Sequence, residues 1–306
     1  MSKTAAVRAD TRKERVRLLK KYRWLYLFLV PGVIILILFA YLPMVGLVMS
    51  FQQYDPVSGF LGSEWVGFYN FERVFSSPTF GRALRNTLII SGLKLLICFP
   101  MPILFSLLIN ELRVRWYKKT VQTIVYIPNF ISWVIAAGLW YSLLGSTGVV
   151  NNVLQNLGIL DEPFLFMQSL GWFYPIIIFT ELWKSLGYNT IFYMSAMSGV
   201  SMEQYEAAMI DGAGAFARFC RITLPLLIPS IRINVVTNII GSLSVFDIVM
   251  SLTGGGPGYQ TETLSIYIMR MCYGSKTGYS TAVAIVMFVI VLVPVLISLR
   301  LMKRKD

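Results

Sequence analysis

The sequence predicts an all-α membrane protein of six transmembrane helices, and three observations carry that reading. The chain of 306 residues is 56% hydrophobic and only 14% charged, with a mean hydropathy of +0.65, too apolar for a soluble domain of this length. Six apolar stretches are each long enough, at about 1.5 Å per helical residue, to cross a hydrocarbon core of about 30 Å. The basic residues gather at the ends of those stretches, where they meet lipid head groups. The net charge of +12 is therefore assigned to the membrane surface, and nucleic acid is set aside as a partner.

Residues 1–23 form a polar tail rich in Lys and Arg. The first span, Trp24 to about Met49, is too long for a signal-peptide core and is read as retained, with Pro31 and Pro43 as candidate kinks. Residues 50–83 make a loop with turn signals at Asp55-Pro56, Gly59 and Gly62 and an aromatic set, Phe60, Trp65, Phe68 and Tyr69, of the kind that belts a membrane interface. The second span runs from about Leu84 to Ile109 and the third from about Val121 to Leu144, separated by a basic loop. The fourth, about Trp172 to Met197, is the most polar and holds Glu181, Lys184 and Asn189. The fifth, about Leu224 to Met250, leads into the glycine-rich turn LTGGGPGY of Leu252 to Tyr259, and the sixth covers about Thr281 to Leu301. The domain limits are thus a tail at 1–23, the six-span region 24–301 and a short tail at 302–306, with a loop at 201–225 inside the span region.

Six crossings put both termini on one side, and the positive-inside rule chooses which. Nine Lys and Arg precede the first span, four follow the second, two lie in the 201–225 loop and four end the chain. These nineteen on the inner side stand against five on the outer side. Both termini and the 201–225 loop are therefore expected in the cytoplasm, and the glycine-rich turn outside.

The inner loop has its own pattern. Ser201 and Gln204 form a capping box, and Met202, Tyr205 and Met209 share one face of the helix it starts. Gly212 and Gly214 end that helix. A second short helix follows, expected to turn Phe216, Phe219, Cys220 and Ile222 inward and Arg218 and Arg221 outward, until Leu224-Pro225 opens the fifth span. Patterning alone also admits a plain amphipathic connector lying on the bilayer.

The residues Glu206-Ala207-Ala208, Asp211-Gly212-Ala213, Ile222 and Leu224-Pro225 closely resemble the EAA loop of permease subunits of bacterial binding-protein-dependent ABC importers. Phe246-Asp247, Leu252 to Pro257, Thr261 and Thr263 look like the region between the fifth and sixth spans of sugar-type permeases. The stretch Phe51 to Phe71, with Tyr54-Asp55-Pro56, Ser63, Trp65-Val66-Gly67 and Asn70-Phe71, is similar to the subset importing oligosaccharides and polysaccharide fragments. The resemblance implies the type I importer permease fold and one half of a two-permease pore, usually paired with a second, related permease. It also implies two ATP-binding subunits docking on Glu206, Ala207, Ala208, Asp211, Gly212, Ile222, Leu224 and Pro225. An extracytoplasmic sugar-binding protein would reach Gly254, Gly255, Gly256, Pro257 and Gln260, for which the plain alternative is a turn between spans.

No chemistry is expected within the chain, and no cofactor or metal. There is no P-loop, since Gly274-Ser275-Lys276-Thr277 lacks the glycine before lysine, and there is no histidine. The three cysteines are scattered. Charges near the bilayer centre cost about 2.5–3.5 kcal/mol on insertion scales, so Glu181 and Lys184 are expected to face a pore or each other. With Trp183, Tyr188, Asn189 and, from the next span, Asp247, they form the candidate sugar path; the structural alternative is a Glu181–Lys184 ion pair, with Lys94 competing for Glu181. An ion-coupled transporter, a channel or a non-transporting scaffold are the alternatives from other classes.

Overall fold

The computed structural model describes residues 17–18, 21–112, 114–199 and 202–303. Ser201, and with it the expected capping box, lies outside the described residues, as do most of the basic tail and the last three residues.

The described chain is almost entirely helical. Helix α1 spans Arg23–Leu36 and continues through a π-helical turn, Ile37–Tyr41, and a 3-10 stretch, Leu42–Phe51. A two-stranded antiparallel hairpin pairs Gln52 with Trp65 and Gln53 with Glu64, and helix α2 (Tyr69–Ser76) follows. Helix α3 (Pro78–Leu93) passes through a second π-turn, Lys94–Cys98, into α4 (Pro100–Glu111). The expected third span is split into α5 (Arg115–Tyr126) and α6 (Trp133–Leu144) by a 3-10 turn at Ile127–Phe130, with the surface helix α7 (Val149–Asn156) after it. Helix α8 covers Leu170–Met197 and α9 Met202–Ile210. A short helix, Ala215–Arg218, and a third π-turn, Phe219–Thr223, lead into α10 (Leu224–Leu243). The remainder is α11 (Asp247–Thr253), α12 (Leu264–Tyr273) and α13 (Thr277–Lys303).

All three π-turns end two residues before a proline: Tyr41 before Pro43, Cys98 before Pro100 and Thr223 before Pro225. Proline has no N–H to give and its ring pushes on the carbonyl four residues back, which here falls inside each π-turn. The helix widens by one residue instead of breaking, so that Phe99 N–H reaches back five residues to Lys94 O at 3.0 Å.

Among the described residues, five helical segments are long and apolar enough to cross a membrane: 23–51, 78–111, 133–156, 216–253 and 277–302. The fourth expected span, α8, has 28 residues and so the length to cross, about 42 Å, but it is not among the five apolar segments. Its Glu181, Lys184 and Asn189 dilute the apolar content, and all three have protein or a cavity beside them rather than open surface.

Two apolar clusters hold the half of the bundle near the glycine-rich turn. One joins Ile90, Ala137, Phe173, Ile177, Val249 and Leu252 across α3, α6, α8 and α11. The other joins Val74, Phe80, Leu264, Tyr267 and Val283 across α2, α3, α12 and α13. At the opposite end Tyr193, Met197 and Leu227 tie α8 to α10. Polar stitches run between: Ser91 Oγ donates to Ser242 O at 2.8 Å, and Thr87 Oγ1 accepts from Leu264 N–H at 2.9 Å. Interhelical bonds of this kind contribute about 0.6 kcal/mol each on average within a membrane, so they fix register more than they supply stability.

Candidate functional site

Three regions carry the sequence candidates. In the first, α9 is closed by a Schellman turn: Ala213 N–H donates to Ala208 O at 2.8 Å and Gly212 N–H to Met209 O at 3.1 Å. Gly212 takes φ of +76°, the left-handed conformation that turn needs and that a side chain would strain. Glu206, Ala207 and Asp211 are exposed, as are Met209, Ile210 (86%) and Phe216 (79%), so the helix–bend–helix presents a carboxylate among apolar groups. Tyr205 and Thr223 hydroxyls meet at 2.7 Å and hold the segment against the start of α10, while Arg218 reaches Glu111 at 3.8 Å.

The second short helix departs from expectation in its facing. Phe216 and Cys220 turn outward rather than inward, while Phe219 and Ile222 are half-buried. The π-turn at Phe219–Thr223 inserts an extra residue and rotates the faces that a 3.6 periodicity assigns.

The second region is a cavity of about 660 Å³ between the α3–α4 π-turn, α8 and α10. Helix α8 lends Glu181, Ser185, Asn189 and Phe192, residues on one face at helical spacing, and α10 lends Ser230, Asn234, Thr237, Asn238 and Gly241 in the same way. Lys94, at the start of the π-turn, points in and pairs with Glu181 at 3.3 Å. Apart from that pair the lining is amide, hydroxyl and apolar, a mixture that offers hydrogen bonds and flat contact without net charge.

Of the six residues expected on the path, Glu181 and Asn189 line this cavity; Trp183, Lys184, Tyr188 and Asp247 do not. Lys184 is 7% exposed and donates to Asn129 O at 2.8 Å and Pro128 O at 3.4 Å, with the Trp133 ring 5.1 Å away. It holds the break between α5 and α6 and is not within ion-pairing distance of Glu181. Trp183 packs edge-on against Trp140 at 5.8 Å, Tyr188 lies against Phe192 on the exposed side, and Asp247 opens α11 at an exposed position. The α10 side of the cavity was missed in the sequence, although its polar residues recur at 230, 234, 237–238 and 241 inside an apolar span, a helical stripe that periodicity alone marks.

The third region is the glycine-rich turn. Gly254 caps α11 at φ +56°, and Gly256 takes φ +70° with ψ −179°, a conformation confined to glycine. A Cβ on Gly256 would also run into the Thr261 side chain, so the turn is shaped and packed. Gly254, Pro257 and Gln260 are exposed, Gly255 is buried and Gly256 half-buried. Beneath them Asn86 Nδ2 donates to Gln260 O and Glu262 O, both at 2.9 Å, while its Oδ1 accepts from Tyr174 OH at 2.9 Å. Glu262, 1% exposed, accepts from Arg270 Nε and Nη2 at 2.7 Å each, and the guanidinium lies 4.1 Å from the Tyr259 ring. That fork of bonds from Glu262 holds the Arg270 pKa above its ordinary value, with burial opposing.

The family model of binding-protein-dependent transport system inner membrane components matches residues 102–305. Protein LplB of Bacillus subtilis (strain 168) is 39% identical over 87% of this chain and 84% of its own length. The polygalacturonan/rhamnogalacturonan transport system permease protein YteP of the same organism is also 39% identical, over 96% of this chain and 92% of its own. A chain in the crystal structure of a bacterial ABC transporter involved in the import of the acidic polysaccharide alginate superposes with a TM-score of 0.86 at 38% identity, covering 96% of this chain and 99% of that one. The helix order, the bent segment between α8 and α10 and these matches agree: the chain belongs to the family of binding-protein-dependent transport system inner membrane components, as a multi-pass membrane permease.

Proposed function

We propose that this permease is half of the pore of an ATP-driven importer of oligosaccharides. The observation that carries the reading is the cavity between α8 and α10, whose amide and hydroxyl stripes face each other across a Lys94–Glu181 pair. Hydroxyl-rich rings need donors and acceptors over a partly apolar surface, and that is what the two stripes supply. The similar proteins, a permease of a polygalacturonan/rhamnogalacturonan transport system and a chain of an ABC transporter involved in alginate import, support a saccharide as cargo.

In this reading α8 also crosses the membrane, as the fourth of six spans, both termini lie in the cytoplasm, and residues 24–301 form the permease domain between the tails at 1–23 and 302–306. Glu206 to Pro225 docks in a groove of an ATP-binding subunit, with Glu206, Ala207, Ala208, Asp211 and Gly212 at the contact and Ile222, Leu224 and Pro225 passing its movement to α10. Two such subunits and a second, related permease complete the pore. A sugar-binding protein delivers cargo at Gly254 to Gln260; one of the similar structures is a bacterial alginate ABC transporter in complex with an alginate pentasaccharide-bound periplasmic protein. Hydrolysis of ATP belongs to the partner subunits.

Affinity purification from the native membrane tests the assembly. An ATP-binding subunit and a second permease recovered in stoichiometric amounts are expected; recovery of the chain alone, or as a homo-oligomer without an ATPase, contradicts it.

A further inference from the structure

A pocket on the face opposite the Glu206 segment shares only Arg270 with the three regions above. It has a volume of about 430 Å³ and is lined by three cations, Arg73, Arg270 and Lys276, together with the hydroxyls of Ser77, Tyr267 and Tyr279. Tyr267 OH meets Tyr279 OH at 2.8 Å and Ser77 Oγ at 3.4 Å, so the hydroxyls form a connected floor. Arg73 is held at the mouth by the rings of Tyr279 and Tyr69, 5.3 and 5.7 Å away.

Two of the three positive charges here are not balanced by an ion pair. Glu262 is engaged by Arg270 on both oxygens, and among the described residues no carboxylate forms an ion pair with Arg73 or Lys276. Helices α3 and α13, of 16 and 27 residues, both begin at this pocket, Ser77 preceding one and Lys276 the other. Their positive ends add to the attraction for an anion.

Position along the helices identifies the anion. Pro78 and Thr277 are the first residues of two segments apolar enough to cross a membrane, and they precede the apolar stretches that open at about Leu84 and Thr281 by about 9 and 6 Å of helix, so the pocket lies just beyond those stretches. Phe68, Tyr69 and Phe75 are exposed alongside it, aromatic side chains of the kind that settle at head-group level. We propose that this pocket binds the phosphate of an anionic phospholipid in the leaflet at this face, with Arg73 and Lys276 as its unpaired cations and the one O–H left free by the Ser77–Tyr267–Tyr279 chain as donor. Through Arg270, which also stacks on Tyr259, the bound head group would steady the glycine-rich turn.

The test uses the purified importer in nanodiscs of phosphatidylcholine containing a minor fraction of phosphatidylglycerol, with native mass spectrometry counting the lipid retained per permease. Retention of phosphatidylglycerol over phosphatidylcholine is expected for the wild type. Each of Arg73→Gln and Lys276→Gln should weaken it about 5-fold, and the pair on the order of 30-fold. Arg82→Gln with Arg85→Gln removes as much charge from the same end of α3, outside the pocket, and should leave retention unchanged. Lys276→Arg, which keeps the charge, guards against mistaking misfolding for lost binding and should retain the lipid. Equal retention of the two lipids, equal losses in the Arg82/Arg85 control, displacement by millimolar inorganic phosphate, or displacement by a purified acidic partner protein would each overturn the assignment.

Discussion

Lys94 Nζ lies 3.3 Å from Glu181 Oε1 on the wall of the α8–α10 cavity, with each side chain 14% exposed. The pair lets two charges stand at membrane depth while leaving the cavity neutral. Removing one partner strands the other where water is scarce, a loss between the ~1 kcal/mol of exposed pairs and the ~3–5 kcal/mol of buried ones. Lys94→Met and Glu181→Gln are each expected to lower membrane level and uptake, whereas the double replacement recovers level but not uptake. Immunoblots beside initial uptake rates check this, and a double variant with wild-type uptake would remove the pair from the path.

Lys184 answers differently, because it bonds to backbone carbonyls of the α5–α6 break. Lys184→Met is expected to cost about 1.5–3 kcal/mol, the range for hydrogen bonds to a charged group, and to lower Tm. Uptake per folded molecule should keep its substrate selectivity. A change in selectivity at unchanged Tm would place Lys184 on the path instead.

Asn189 and Asn234 face the same cavity from α8 and α10. Asn189→Ala and Asn234→Ala should raise the substrate concentration for half-maximal uptake several-fold, one lost neutral hydrogen bond being about 1 kcal/mol. Tyr188→Ala, outside the cavity, should leave it unchanged. Equal effects at all three positions would mean the cavity does not hold cargo.

The Arg270–Glu262 fork is planar and bidentate, and lysine cannot reproduce it. Arg270→Lys is therefore expected to loosen the turn at Gly254 to Tyr259, read as faster amide exchange there with the α8–α10 half unaffected. Unchanged exchange would show that the fork does not hold the turn.

Much of this was legible in the sequence, and the failures have physical causes. Spans one, two, five and six follow from hydropathy because a bilayer demands long apolar helices. Span three did not survive as one helix: the chain goes extended at Ile131 and Ser132 after the 3-10 turn, and there Lys184 donates to the carbonyls of Pro128 and Asn129, a long-range contact that local pattern does not reveal. Five of the six expected path residues came from the chemistry of single side chains along α8, and only the helix's facing separates Glu181 and Asn189 from Trp183 and Lys184. Cys220, expected inward and found outward, lies in the π-turn that ends two residues before Pro225, a one-residue shift no fixed period anticipates.

Gly212 bears on the central claim, that a partner drives this pore through the bent segment after α8. Its φ of +76° closes α9, and a β-branched residue there is strained by roughly 1–2 kcal/mol while losing the Schellman bonds. The most direct measurement is uptake of labelled oligosaccharide by the purified importer in proteoliposomes, with ATP enclosed, comparing wild type and Gly212→Val at equal assembly. Uptake that requires ATP and the binding protein, and that falls at least tenfold in Gly212→Val, is the predicted result. Uptake driven by an ion gradient without ATP, or undiminished in Gly212→Val, would contradict it.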